Sequence, residues 1–281
     1  MAVNKRMVYT IVTHSYIVLF AIVMVYPLLW IIASSFKPSS EIFSSPSLIP
    51  SQFVWDSYAK GWMGFGQQGF GLFVNNTFIL VIPTVIFTLV SSALVAYGFA
   101  RLDFPLRKFF FALMLSTLML PGTIVIIPRY LLFKNLNWLN TYLPFYIPAL
   151  LAGNSFFIFM LVQFLRGIPR ELDESAFVDG CNSFLILYKI LLPLCKPALF
   201  TVALMQFIWL WNDFFNPLIY INSVSKYPLA LGLRISIDVG AIVNWNQVLA
   251  MAVVAIIPPV ILFVFTQKYF VEGIATSGLK G

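Results

Sequence analysis

The chain has 281 residues, of which 60% are hydrophobic and 10% charged, against roughly a quarter charged in an ordinary soluble domain, so a protein bathed by water on all sides is excluded. Its formal net charge of +7 is spread over many short loops with no basic stripe or stacking platform, which excludes nucleic acid as the partner. The partner that composition implies is a lipid bilayer, crossed by about 20 mostly apolar residues per helix, and the useful map is the set of gaps between charges.

Residues 7–36 carry no Asp, Glu, Lys or Arg, and the first predicted span lies at 11–34. Lys5 and Arg6 ahead of an apolar run also suit a signal peptide. This run is too long for one and lacks a small-residue cleavage pattern, so it is read as a membrane anchor. His14 has no second ligand and is read as structural. The stretch 37–71, with "SSPSLIPSQFVWDSY", combines turn residues with scattered aromatics and suits a folded or interfacial cap.

The second span is predicted at 72–100, and the short turn "RLDFPLRK" makes it an antiparallel neighbour of the third, at 109–130. A fourth follows at 143–165, a fifth at 197–221 with Asp213 inside it, and a sixth at 247–268. Pro83, Pro121, Pro128, Pro258 and Pro259 are expected to break their helices. Such breaks persist in a bilayer only where neighbouring helices, side chains or water satisfy the freed backbone groups, so bundle kinks and a path lined by irregular helices both stay open. No repeat of 20 to 50 residues is present, and one all-α membrane domain, 1–281, accounts for the chain.

With the N-terminus cytoplasmic, eleven of the 17 Lys and Arg residues fall on the inner side and six on the outer. The imbalance predicts both termini inside. Cys181 and Cys195 then face the reducing compartment without metal-site spacing, and are read as free thiols.

One island departs from the surrounding apolar pattern. After Pro169, Glu171, Asp173 and Glu174 fall in the first turn of a predicted short helix, where the helix dipole favours acids, and Gly180 can end it in a left-handed cap. "SFLILYKILL" follows, too short to span, and is expected to lie along the interface and stop at Pro193 before the fifth span opens at Pro197. A short charged helix with Ala176 and Phe177 as apolar contacts suits a docking knob, although an amphipathic interfacial hairpin has the same pattern.

The island resembles the cytoplasmic signature of ABC importer permeases, Glu-Ala-Ala, three residues, Gly, nine residues, Ile, any residue, Leu-Pro. Glu174-Ser175-Ala176, Asp179-Gly180 and Ile190 to Pro193 stand at that spacing, with Ser175 the one departure. "KPSSEIF", "WNDFFNPL" and the ending "KYFVEGIATSGLKG" extend the likeness to the carbohydrate-uptake branch over nearly the whole chain. The resemblance implies a type I importer permease fold with six spans, in the bacterial inner membrane.

It further implies that 166–197 is a coupling loop. Glu174, Ser175, Ala176, Phe177, Asp179 and Gly180 would enter a cleft on a cytoplasmic ATPase, with Ile190, Leu192 and Pro193 anchoring the loop to the bundle. The tail 269–281, through Gly273, Gly278 and Lys280, would contact the ATPase pair. The implied partners are a second homologous permease subunit, two ATPase subunits, an extracytoplasmic binding protein and a sugar. ATP and Mg would be held by the ATPase, and no cofactor by this chain, which has no GxxxxGKS/T loop.

Asp213 is an ionisable group in a predicted span and hence a functional candidate. In "QFIWLWNDFFNPLIY", Gln206, Asp213 and Asn216 share a predicted helix face, with Asn212 and Trp209 or Trp211 beside them. Amides, a carboxylate and aromatic rings suit sugars, so these residues are candidates for a substrate path or gate; capping or packing is the alternative. An ion-coupled secondary transporter working through Asp213 leaves the island unexplained. An intramembrane enzyme lacks any HExxH or paired carboxylates. An importer permease for a non-sugar solute stays open.

Overall fold

Helices dominate because a bilayer offers no water to backbone N–H and C=O groups, which must therefore pair within their own segment. A computed structural model describes the backbone of residues 5–64, 68–238 and 243–278. In chain order the helices are α1 (Lys5–Ser34), α2 (Ser57–Met63), α3 (Phe70–Arg101), α4 (Arg107–Leu118), α5 (Gly122–Asn135), α6 (Leu143–Leu150) and α7 (Ser155–Arg166). Then follow α8 (Glu171–Val178), α9 (Ser183–Leu194), α10 (Lys196–Trp211), α11 (Phe215–Tyr220), α12 (Leu229–Asp238) and α13 (Trp245–Gly278). Four described stretches are long and apolar enough to cross a membrane: Arg6–Ser34, Phe70–Arg101, Leu143–Arg166 and Trp245–Gln267. The number rises to six if each of two bent pairs, α4 with α5 and α9 with α10, counts as one span.

Two compact units divide the chain. The first, Met1–Gly71 with Gly232–Ile257, holds α1 and the cap that follows it. In the cap Phe36 gathers Phe53, Trp55 and Tyr58, with ring centroids 5.1–6.5 Å away. Lys37 is fully buried and its ammonium donates to the Ser47 carbonyl. Glu41 accepts from the Ser51 hydroxyl at 2.5 Å and from its amide, which hold the carboxyl below its usual range. Asn246 ties the cap to α13, donating to Ser57 Oγ at 2.9 Å and accepting from Ser39 Oγ at 2.7 Å.

The second unit, Leu72–Leu231 with Pro258–Gly281, is built on α3. Near one end of α3, Ala93, Ala96 and Ala100 pack with Phe157, Leu161 and Leu165 of α7 and with Ile186, Leu187 and Leu191 of α9. Near the other, Leu80 and Val81 join Phe133, Phe145 and Tyr220. The turn after α3 is closed by an Arg107–Asp103 ion pair at 2.6 Å, and Phe99 meets Phe111 of α4 at 5.4 Å.

The prolines act differently from expectation in several places. Pro83 does not interrupt α3, nor do Pro258 and Pro259 interrupt α13. Pro83 has no N–H for the Ile79 carbonyl, and the Tyr146 hydroxyl of α6 supplies that bond at 2.5 Å. Pro121, in contrast, turns the third predicted span into two helices bent by 102°. A residue before proline is driven from helical torsions, so the ladder ends at Leu118 and restarts at Gly122. Pro193 does not stop its helix either. A π-turn at Ile186–Leu191, with Leu192 N–H bonded to the Leu187 carbonyl, carries α9 to Leu194, and the 77° bend into α10 comes at Cys195.

The fourth span contains a break that the apolar run concealed. α6 ends at Leu150 with Ala152 left-handed at φ 58° and the Gly153 N–H on the Pro148 carbonyl at 2.8 Å, a Schellman closure with a non-glycine at its strained position. Ser91 of α3 caps the Ala149 carbonyl at 2.6 Å. A Cβ on Gly153 would stand 2.7 Å from the Pro148 oxygen. Gly153→Ala is therefore expected to lower the thermal unfolding temperature of detergent-purified protein, whereas Ala152→Gly raises stability by about 1 kcal/mol. Equal behaviour of the two variants would contradict this account of the break.

Candidate functional site

Two features of the second unit bring polar side chains together. The first is the segment from Gly167 to Leu194. In α8 the acids Glu171, Asp173 and Glu174 occupy the first turn. The helix begins at Glu171, two residues beyond Pro169. It closes with Gly180 at φ 82°, the Gly180 N–H on the Phe177 carbonyl at 3.1 Å and the Cys181 N–H on the Ala176 carbonyl at 2.9 Å. This paired pattern needs a left-handed residue at its centre, which only glycine adopts without a steric penalty.

One face of α8 is held and the other is open. Ala176 is buried in the cluster with Ala96 and Ala100 of α3. Phe177 is 63% and Val178 89% exposed, and Glu174, Ser175, Asp179 and Gly180 are exposed beside them. Beyond the glycine, Ile190 and Leu192 pack against the same cluster, whereas Pro193 is exposed. The deeper anchors are Ile186, Leu187 and Leu191. They escape sequence reading because "FLILYKILL" is apolar almost all round and the π-turn shifts its faces.

A second set of contacts was absent from the sequence reading. Arg101, in the last turn of α3, has its side chain 4% exposed. Its Nε lies 3.1 Å from Asp173 Oδ2, and its terminal nitrogen donates to the Ile168 carbonyl at 2.9 Å. In return Arg170 reaches the Ala100 carbonyl at 3.4 Å, at the negative end of α3. Arg101 and Asp173 lie far apart in the chain, and no local pattern joins them.

The second feature is a cavity of about 230 Å³. Gln206 of α10, Asp213 and Asn216 line it. Thr84 and Thr88 of α3, Arg129 of α5, Asn154 at the start of α7 and Tyr220 of α11 complete its polar wall. Asp213 stands at the break between α10 and α11, where its carboxylate accepts from the Asn216 N–H at 3.1 Å and from the Asn216 side-chain amide at 2.8 Å. Among the described residues the buried Thr88 hydroxyl has no hydrogen-bond partner, and the buried Tyr220 hydroxyl stands beside Arg129.

Trp209 and Asn212 are elsewhere. Trp209 stacks on Phe157 at 5.0 Å, and Asn212 donates to the Ile208 carbonyl at 2.8 Å and closes α10. Because α10 ends at Trp211, the helix face projected through 212–216 does not exist, and Leu210 takes the lining place beside Gln206. Thr84 and Thr88 were recoverable as an i, i+4 polar pair in an apolar run, and Tyr220 as i+4 from Asn216. In the tail, Gly273 and Gly278 continue the backbone of α13, and Lys280 lies outside the described residues. Among the described residues, no group of three or more His, Cys, Asp or Glu could hold a metal ion.

Residues 77–276 match a family model described as "Binding-protein-dependent transport system inner membrane component". The arabinooligosaccharides transport system permease protein AraQ of Halalkalibacterium halodurans is 35% identical over 271 residues, with 93% of each chain covered. The probable ABC transporter permease protein YurM of Bacillus subtilis is 32% identical, over 95% of this chain and 87% of its own. The sn-glycerol-3-phosphate transport system permease protein UgpE of Yersinia pestis is 30% identical, over 98% and 99%. In fold, the chain is similar to a chain of a bacterial ABC transporter involved in the import of the acidic polysaccharide alginate. The TM-score is 0.84 at 24% identity, over 96% of this chain and 99% of that one.

Proposed function

From the fact that this chain belongs to the inner-membrane components of binding-protein-dependent transport systems, we propose that it is one permease subunit of an ATP-driven oligosaccharide importer. It forms half of a translocation path with a second, homologous permease subunit. The observation that carries the reading is α8, held on one side by Ala176 and presenting Phe177, Val178 and Glu174 on the other. An apolar pair of that exposure beside a carboxylate suits a cleft on another protein.

In this reading Glu174 to Gly180 dock on one of two cytoplasmic ATPase subunits, which bind ATP and Mg. Both termini are cytoplasmic, consistent with the excess of Lys and Arg on that side. Gly273, Gly278 and Lys280 lie toward the ATPase pair. An extracytoplasmic binding protein delivers the sugar, and the 1–281 chain works as one membrane domain with its coupling loop at 166–197. Gln206, Asp213 and Asn216 line the path. Asp213 is engaged by Asn216, which supports a positioning role over ion coupling. The cavity also carries Arg129, and UgpE is named for a phosphorylated polyol, which together favour an anionic polyol as the second reading.

The test is reconstitution of the complete complex in proteoliposomes with its binding protein loaded from a panel of oligosaccharides and sn-glycerol-3-phosphate. ATP hydrolysis and uptake are expected to rise together with a saccharide. A response to the phosphate ester alone would replace the first reading by the second. Uptake driven by an ion gradient without ATP would end both.

A further inference from the structure

We infer that Arg101 is the joint through which movement of α8 passes into α3, and that α3 carries it to the polar cavity. The inference rests on the coupling reading of α8 given above. The covalent route from α8 to the cavity runs through the π-turn of α9 and the 77° bend at Cys195 before it reaches Gln206. That route changes its helical register at the π-turn and its direction at the bend, so it is neither straight nor regular.

The route through Arg101 is shorter and stiffer. The guanidinium holds α8 by the Asp173 carboxylate and holds the preceding turn by the Ile168 carbonyl, while Arg170 grips the end of α3 from the opposite direction. Ala176 packs the two helices together between these polar contacts. From Arg101 the helix runs without proline or break to Thr88 and Thr84 in the cavity wall, about 20 and 26 Å away at 1.5 Å per residue. Among the described residues Arg101 Nε and Asp173 Oδ1 are buried atoms with no hydrogen bond, although the pair is in ionic contact with side chains 4% and 21% exposed. Removing one partner of so sheltered a pair is costly, which ties the two helices together. Arg101 is a positioning residue; it touches neither solute nor nucleotide.

The experiment uses the full complex with Arg101→Gln, Asp173→Asn and the conservative Arg101→Lys, read as ATP hydrolysed per solute imported together with the ATPase that co-purifies. The first two variants are expected to raise that ratio about tenfold, within the range of a typical coupling between sites, with co-purifying ATPase unchanged and with Arg101→Lys intermediate. An unchanged ratio in both, or hydrolysis and uptake falling in step with the amount of folded Asp173→Asn protein, would overturn the assignment. Phe177→Glu, measured in parallel, separates this from failure of the coupling reading. If Phe177→Glu leaves the ATPase bound, α8 is not the docking element and the joint falls with it. If it releases the ATPase while the Arg101 ratio stays flat, only the joint is lost.

Discussion

Gly180→Val is expected to reduce solute import about tenfold or more in a protein that still inserts, whereas Gly180→Asn retains most of the activity. The cap torsion of φ 82° costs an ordinary side chain about 1–2 kcal/mol, more when it is β-branched, while Asn and Asp tolerate it. A cost of that size shifts a two-state population by roughly 5- to 30-fold. Relief would come from unwinding the paired closure on Ala176 and Phe177, which re-aims the exposed Phe177 and Val178. Apart from Gly180 and its chain neighbours, no heavy atom of the described residues lies within 4 Å of a Cβ built there, so the cost within the chain is the torsion alone. Uptake by the complete complex, normalised to inserted protein, decides the matter. Equal loss in the Val and Asn variants would mean that a partner surface, rather than backbone torsion, demands glycine. Gly180→Asp adds charge at the same torsion and reports on the electrostatics of that surface.

The second large effect is expected at Asp213. Its two oxygens organise the start of α11 through Asn216, and charge-assisted bonds of this type contribute about 2 kcal/mol. Asp213→Asn keeps one acceptor but sets an amide N–H₂ against that of Asn216, and Asp213→Ala removes both bonds. Import is expected to fall in Asn and further in Ala, because Asn216 and Tyr220 on the cavity wall lose their reference point. The ATPase should co-purify as before. Its loss would place Asp213 in packing or subunit assembly instead of the solute path.

What the sequence revealed depended on whether the signal was local. The short helix α8, its acidic first turn and its glycine closure follow from residues within ten positions of one another, and the apolar runs follow from the absence of charge. The 102° bend was partly legible, since Pro121 is visible, but the same residue type at Pro83 leaves α3 intact. At Pro83 the carbonyl left without its N–H is taken up by Tyr146, which comes from another helix. Arg101 had the same obscurity, reading as a topology charge at the end of a span until its burial against Asp173 was seen. The face that carries Gln206 does not continue through 212–216, because α10 ends at Trp211.

The hydroxyl of Tyr146 on the Ile79 carbonyl makes the course of one helix the property of two. Pro83 removes a bond from α3, and α6 replaces it from outside. The two positions are therefore coupled: replacing the proline restores an N–H to the Ile79 carbonyl and frees the tyrosine, and removing the hydroxyl strands that carbonyl in hydrocarbon. Moving α3 alone into another bundle would carry half of that arrangement and leave the other half behind.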